Sequence, residues 1–450
     1  MISWFGSLST RRLAILVLVT GLVLRIVLGL FYTYPIEDNY WILGSTNLTA
    51  GEGLYGVPGY YYLPVWGYFL AVMTAVANFL GIPYGYYYDD IGTSLKDCDV
   101  IVPSIEYSLM VLAVLIIFDI LVAHLIFRIG CRVTGDERKA VIMAAIWFLC
   151  PLTIAISSIR LMFENVEIFF LLASVLMLMD RKPFPAGPLM GACFLSKQFG
   201  LFAAIILLGY SYAQTRDIRY SLKCVAGTAV SVLILMAPVI LNGDLETSMH
   251  WLTSRVDAGT SASTFNLTIV LTPLIVLLTA AMGFKVARDG IQDFRALSLF
   301  MLLPVALMFI LPGNVQYYLF LLPFMVFAFS KEMYISYVSM SLLAVMSLLV
   351  VINMCSMIYV DSGLPGAGII DGIADFFEPF EDHSHLYELL KSITGALVAI
   401  ATVLILLKPR FSNEACRRHH GSGSGRGHAD RYGPGLWSEC LQMRSGGLER

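Results

Sequence analysis

The sequence predicts an all-α polytopic membrane protein, and three observations predict it. The chain of 450 residues is 58% hydrophobic and only 14% charged, with a mean hydropathy of +0.76, whereas soluble domains are near half apolar and a quarter charged. Apolar runs of bilayer length recur along most of it. Most of its basic residues fall in segments between those runs or after the last of them. Together these exclude a cytosolic enzyme, a nucleic-acid binder and a secreted disulfide scaffold. The eight cysteines (98, 131, 150, 193, 224, 355, 416, 440) form no CxxC pair and no Cys/His cluster at metal-ligand spacing, and most sit in apolar runs as small hydrophobes.

Taken in order, Leu13 to Phe31 follows Arg11 and Arg12 and is too long for a signal-peptide core, so it reads as a retained first helix with a cytoplasmic N-terminus. The next strongly basic loop, 128–139, must lie on the same side. Three apolar segments between those points give the wrong parity, so one of them does not span. Ser104 to Phe127 is the better spanning helix, which makes 32–104 one large external loop with 62–80 lying in or dipping into the membrane interface, the alternative being that 62–80 is an ordinary spanning helix. Spans then follow near 140–158, 166–179, 224–241, 265–283, 296–312, 317–330, 333–355 and 391–407. Segment 185–210 has basic flanks at both ends and Lys197-Gln198 at its middle. Two short helices meeting at Lys197 preserve the alternation, and a continuous helix breaks it.

This arrangement sorts the charge. Cytoplasmic segments hold 23 Lys/Arg against 11 Asp/Glu, a net +12, and external segments hold four basic residues against 20 acidic ones, a net −16. The overall charge of −3 hides that separation. Residues 1–410 form the membrane domain, and 411–450, with Gly421-Ser-Gly-Ser-Gly-Arg-Gly, read as a disordered cytoplasmic tail.

Candidate chemistry lies outside. Glu37-Asp38 opens the largest external loop; such a pair could hold a divalent cation, Mg or Mn, or one carboxylate could act as a general base. Around it stand Tyr40 and the cluster Tyr60-Tyr61-Tyr62, rings that suit sugar stacking and equally a headgroup-level belt. The scarce external cations Arg160, Lys197 and Arg255 each adjoin a helix end, where they could meet a lipid phosphate or snorkel to headgroups. Glu164 could assist Asp38 or pair with Arg160. Asp119 and His124, within one helix, read first as an interhelical polar contact and second as a proton relay. Asp89-Asp90 competes for any metal role, and Asn47-Leu-Thr49 and Asn266-Leu-Thr268 are external glycosylation sequons.

In this order the pieces resemble the GT-C superfamily of integral-membrane glycosyltransferases, and more narrowly the prokaryotic and archaeal mannosyltransferases related to GPI mannosyltransferases. The elements are Arg25 in the first helix, Glu37-Asp38, Tyr60-Tyr-Tyr-Leu-Pro64, Val102-Pro-Ser-Ile, Phe118-Asp119-Ile-Leu, and Cys150-Pro-Leu-Thr-Ile with Ser157-Ser158. Gly191-Ala-Cys-Phe-Leu-Ser-Lys197-Gln198 and Val315-Gln-Tyr-Tyr-Leu-Phe-Leu-Leu-Pro323 close the series. The resemblance covers most of 13–330 and implies a GT-C-like fold with about 10–12 transmembrane helices and juxtamembrane helical segments in the first external loop.

It also implies inverting transfer of a sugar, by default mannose, from a polyprenyl- or dolichyl-phosphate donor to a glycan, lipid or protein acceptor on the outer face of the cell membrane (the ER membrane in a eukaryote). Asp38 would accept the acceptor hydroxyl's proton, with Glu37 assisting or holding a cation and Glu164 as a second acid. Lys197, with Arg255 or Arg160, would bind the lipid phosphate. Tyr40, Tyr61, Tyr62, Gln198, Gln316 and Tyr317 would contact sugar or acceptor. The chain departs from the pattern twice: Met162-Phe-Glu-Asn165 stands for Gly-Gln-x-Asp, and Gln316-Tyr317-Tyr318 for a late His or Glu with Arg. Those departures bear on the second acid and on the sugar accepted, and they keep a non-catalytic partner subunit open. The rival from another class is a secondary transporter or lipid-linked-sugar flippase, which calls for internal repeats and midplane charges.

Overall fold

A computed structural model describes residues 8–30, 35–56, 60, 62–88, 100–197, 199–249, 267–308 and 315–329, with a few positions between 341 and 404. The chain divides into units Met1–Val403 and Leu404–Arg450, and all of these residues except Leu404 belong to the first. The expected spans 333–355 and 391–407 fall largely outside the described residues, and the tail lies entirely outside them.

The structure is mostly helical. Among the described residues, three helices are long and apolar enough to cross a membrane: α1 (Thr10–Gly29), α4 (Ile105–Thr134) and α10 (Ile218–Leu241). Between α1 and α4 lie α2 (Pro35–Ala50), α3 (Pro64–Leu80) and an antiparallel ribbon of β1 (Gly85–Tyr88) and β2 (Val100–Pro103), paired from Gly85↔Pro103 to Tyr88↔Val100. The 17-residue α3, expected at the interface, buries Trp66, Leu70 and Ala77 and leaves Val72, Phe79 and Leu80 exposed.

Next come α5 (Glu137–Phe148) and α6 (Pro151–Ile154), the latter continuing into a π turn, Ala155–Ile159. Across the break the two bend by 45°, and the pair counts as a fourth span if taken together. Pro151 causes the break, since it lacks the donor that a continuing helix needs. The rest of the described chain comprises α7 (Glu164–Met179), α8 (Pro183–Ser196), α9 (Phe199–Thr215), α10, α11 (Leu267–Asp289), α12 (Phe294–Met308), a 3-10 turn (Val315–Phe320) and α13 (Leu321–Ala328).

α1 and α10 turn apolar side chains outward, among them Val19, Val23, Leu233 and Ile234, each more than half exposed. Such apolar faces mark membrane association. Inside, helices approach through small residues. A β-carbon on Gly187 would stand 2.6 Å from the Thr228 nitrogen and 2.7 Å from the Gly227 α-carbon, so α8 and α10 touch backbone to backbone. Thr228 Oγ1 and Ser231 Oγ donate across this contact to the Gly187 and Pro188 carbonyls, at 3.1 and 3.0 Å.

The chain does break at Lys197, whose backbone is extended (φ −150°, ψ 155°) between α8 and α9. Gly200 then lies against Cys193 and Phe194, so the two helices fold back on each other. The basic loops also meet at one end of the bundle. Arg132 pairs with Asp180 at 2.6 Å, Arg138 reaches the Leu8 carbonyl at 2.8 Å, and Arg216 reaches the Ala287 carbonyl at 2.7 Å. Arg295 binds the Ala328 carbonyl at 3.0 Å.

Glu37 and Asp38 differ from expectation. They are not in a loop but in the first turn of α2, which begins at Pro35. Proline suits a first helical position and acidic residues complement the positive end of the helix dipole, so Pro35-Ile-Glu-Asp38 starts a helix for sound reasons. α2 is anchored by Asn39, whose side-chain oxygen accepts the Ile101 N–H of β2 at 2.9 Å.

Candidate functional site: a buried lysine in an aromatic cage

Three cations (Arg25, Arg160, Lys197) and three acids (Asp119, Glu164, Glu167) are buried among the described residues. Buried charge is costly unless paired, so partners are the first question. Lys197, only 2% exposed at the tip of the α8–α9 hairpin, forms a direct ion pair with Glu164 at the start of α7. Its ammonium sits 4.3 Å from the Phe163 ring centroid, 5.2 Å from that of Tyr62 and 5.4 Å from that of Tyr317. Negative ring faces suit a cation, so the three rings and the carboxylate form a cage around it.

Each wall of the cage comes from a different element. Phe163 ends the turn that follows the π helix, where Leu161 holds a left-handed φ of 52° despite its side chain. Such strain recurs at functional turns. Phe163 stacks on Trp66 of α3 with centroids 4.9 Å apart and rings inclined by 10°. It also meets Trp41 of α2 at 5.8 Å and Tyr62 at 4.9 Å. Tyr317 belongs to the 3-10 turn, beside the buried Gln316. On α7, Glu167 accepts the Gly200 N–H at 2.6 Å and so caps the start of α9. The second Glu164 oxygen and both Gln316 amide atoms are buried without a hydrogen-bond partner among the described residues, and such groups are uncommon unless a ligand or water meets them.

Of the residues expected to act together, Lys197, Glu164, Tyr62 and Tyr317 meet in one place. Glu164 pairs with Lys197 rather than with Arg160. Arg160 is itself buried, in the turn between the π helix and α7. Tyr40 lies on α2, half-buried. Tyr61, Gln198 and Arg255 lie outside the described residues, as do Asp89-Asp90, and nothing is described of the Glu37 and Asp38 side chains. Among the described residues, no three His, Cys, Asp or Glu side chains group into a metal site.

A second polar site lies deeper. Asp119 does not work with His124, which faces outward. Its carboxylate accepts from Arg25 Nε at 2.8 Å, Ser157 Oγ at 2.6 Å and Asn165 Nδ2 at 3.1 Å. Sequence reasoning singled out Arg25, Asp119 and Ser157 separately and missed their union, and it missed Phe163, Asn165 and Glu167 as site residues. Only the Glu164-x-x-Glu167 spacing, which puts two acids on one face of α7, offered a signal.

The loop before α3 supplies a third buried cluster. Tyr55 donates to the Tyr62 carbonyl at 2.8 Å, and its ring meets that of Tyr60 at 5.6 Å. Burial pushes both phenols well above their ordinary value of 10.0. An unfolded tyrosine loses its proton near pH 10 while these keep theirs, so above that point the unfolded state binds fewer protons. Stability is therefore full below about pH 10 and falls as pH rises further. Proteolysis within 51–63 is expected to rise steeply above about pH 10, and Tyr55→Phe should flatten that rise. An unchanged pH profile in the variant would remove Tyr55 from the effect.

These features define a helical protein with membrane-length helices and a buried, caged charge pair. No family model matches the chain, and no curated protein matches it.

Proposed function

We propose that the protein is a multi-pass membrane glycosyltransferase that moves a sugar, mannose by default, from a polyprenyl- or dolichyl-phosphate donor to a glycan, lipid or protein acceptor, with inversion. The observation that carries this reading is the meeting of Lys197, Glu164, Tyr62 and Tyr317 at the end of α8. A cation for the departing phosphate and rings for a sugar come together from segments far apart in the chain. The gathering of basic loops at one end of the bundle supports cytoplasmic termini and a reaction on the outer face.

In this mechanism Asp38 takes the proton of the acceptor hydroxyl as its oxygen attacks the anomeric carbon. The bond from that carbon to the lipid phosphate breaks, and its electron pair leaves with the phosphate. Lys197 exchanges Glu164 for the phosphate and balances the charge that develops there. Tyr62, Tyr317 and Gln316 line the path of the sugar.

Purified full-length protein supplied with a radiolabelled polyprenyl-phosphate sugar and a membrane extract as acceptor is expected to form labelled product and release polyprenyl phosphate. Movement of the intact donor across proteoliposomes, with no transfer under any acceptor supplied, would overturn the reading in favour of a flippase.

A further inference from the structure

The turn that presents Phe163 and Glu164 to Lys197 is held from below by one carboxylate. Asp119, in the middle of α4, is fully buried. One of its oxygens accepts from Ser157 in the π helix, at 2.6 Å, and the other from Asn165 in the first turn of α7, at 3.1 Å. Ser157 and Asn165 flank the segment containing Arg160, the left-handed Leu161, Phe163 and Glu164. A single rigid group therefore bridges the incoming and outgoing arms of the turn. Asn165 Nδ2 also donates to the Leu115 carbonyl at 2.8 Å, one turn of α4 before Asp119. Arg25 balances the buried charge from α1. Its Nε binds Asp119, its Nη1 donates to the Gly21 and Phe148 carbonyls at 3.2 and 2.7 Å, and its guanidinium lies 4.2 Å over the Phe148 ring.

A buried ion pair contributes little net stability, because desolvating both charges offsets their attraction. Orientation is a better account of what this one does. We infer that Asp119 is a positioning residue: through Ser157 and Asn165 it fixes the turn that holds Glu164 against Lys197, and Arg25 keeps its carboxylate aimed. The inference rests on Glu164 and Lys197 being the working pair of the proposed site. Asp119 touches no substrate and acts through its two partners. Loss of either arm lets the turn slacken, parts Glu164 from Lys197 and opens the cage.

Lysine reactivity tests this without any transfer assay. Full-length protein in detergent is treated with sulfosuccinimidyl acetate, and acetylation at each lysine is followed by mass spectrometry. In the wild type Lys197 is expected to react slowly, with the exposed Lys139 and Lys285 as references. Glu164→Gln should speed its modification. Asn165→Ala and Ser157→Ala, which leave the Arg25–Asp119 pair intact, should each speed it by about ten- to a hundredfold, the ratio that follows loss of one hydrogen bond to a charged group, with the references unchanged. Ser157→Thr keeps the hydroxyl and should restore protection.

Lys197 staying as protected in Asn165→Ala and Ser157→Ala as in the wild type would overturn the inference. So would a uniform rise at every lysine, which marks general loosening, or a Lys197 that stays protected in Glu164→Gln. If the reactivity pattern appears while no sugar is transferred, the positioning role stands and the proposed reaction falls.

Discussion

Asp38→Asn is expected to lower sugar transfer by about 10²–10⁴-fold, the contribution of a positioned general base, with little change in folded yield. The amide has the carboxylate's shape but cannot take a proton from the acceptor hydroxyl. Position 38 is in the first turn of α2, where losing a negative charge weakens the favourable interaction with the helix dipole by less than about 1 kcal/mol. α2 is held in place by residues the substitution does not touch, namely Asn39 on β2 and Trp41 against Phe163. Transfer should therefore fall while the thermal unfolding midpoint moves little. Glu37→Gln serves as the neighbour control, with a smaller loss if Glu37 only assists. Full transfer by the Asp38 variant would remove that residue from the mechanism.

Lys197→Met should lose both transfer and stability, for separable reasons. Methionine has a similar length and fits among Tyr62, Phe163 and Tyr317. Without the ammonium, though, Glu164 is a buried charge with no counter-charge, at a cost of about 3–5 kcal/mol. Replacing both members, Lys197→Met with Glu164→Leu, removes the stranded carboxylate and is expected to recover most of that stability. Both proteins should transfer sugar about 10²–10³-fold more slowly, the worth of stabilising the leaving phosphate. Thermal unfolding of the wild type, both single variants and the double variant measures the coupling directly. Additive effects would mean that the pair does not interact. Wild-type transfer by the double variant would free Lys197 of any catalytic part.

How much of this was legible differs from residue to residue. The break at Lys197 was readable because a Lys-Gln pair in an apolar run, with basic residues at both flanks, cannot sit unpaired in mid-bilayer. The start of α2 was also written in Pro35-Ile-Glu-Asp38, yet the same residues read equally well as an acidic loop, and only their docking on β2 through Asn39 decides. Glu164 shows the limit. Arg160 is four residues away and was the natural partner by proximity, but the π turn and the left-handed Leu161 turn the chain so that Glu164 meets Lys197, 33 residues on. Asp119 faced the same difficulty, with His124 near in sequence and Arg25 94 residues distant.

The sequence by itself determined the helical class, the membrane-length runs, the separation of basic from acidic segments and the two helices that meet at Lys197. Hydrophobic length and charge are carried residue by residue and need no partner to be read. Only the tertiary structure decided which buried charges pair and which rings close over Lys197, as well as how one carboxylate spans the turn from Ser157 to Asn165. Ion pairs and cages depend on where the backbone brings distant side chains, and that path is set by the packing of helices against one another, such as Gly187 on Gly227, rather than by spacing along the chain.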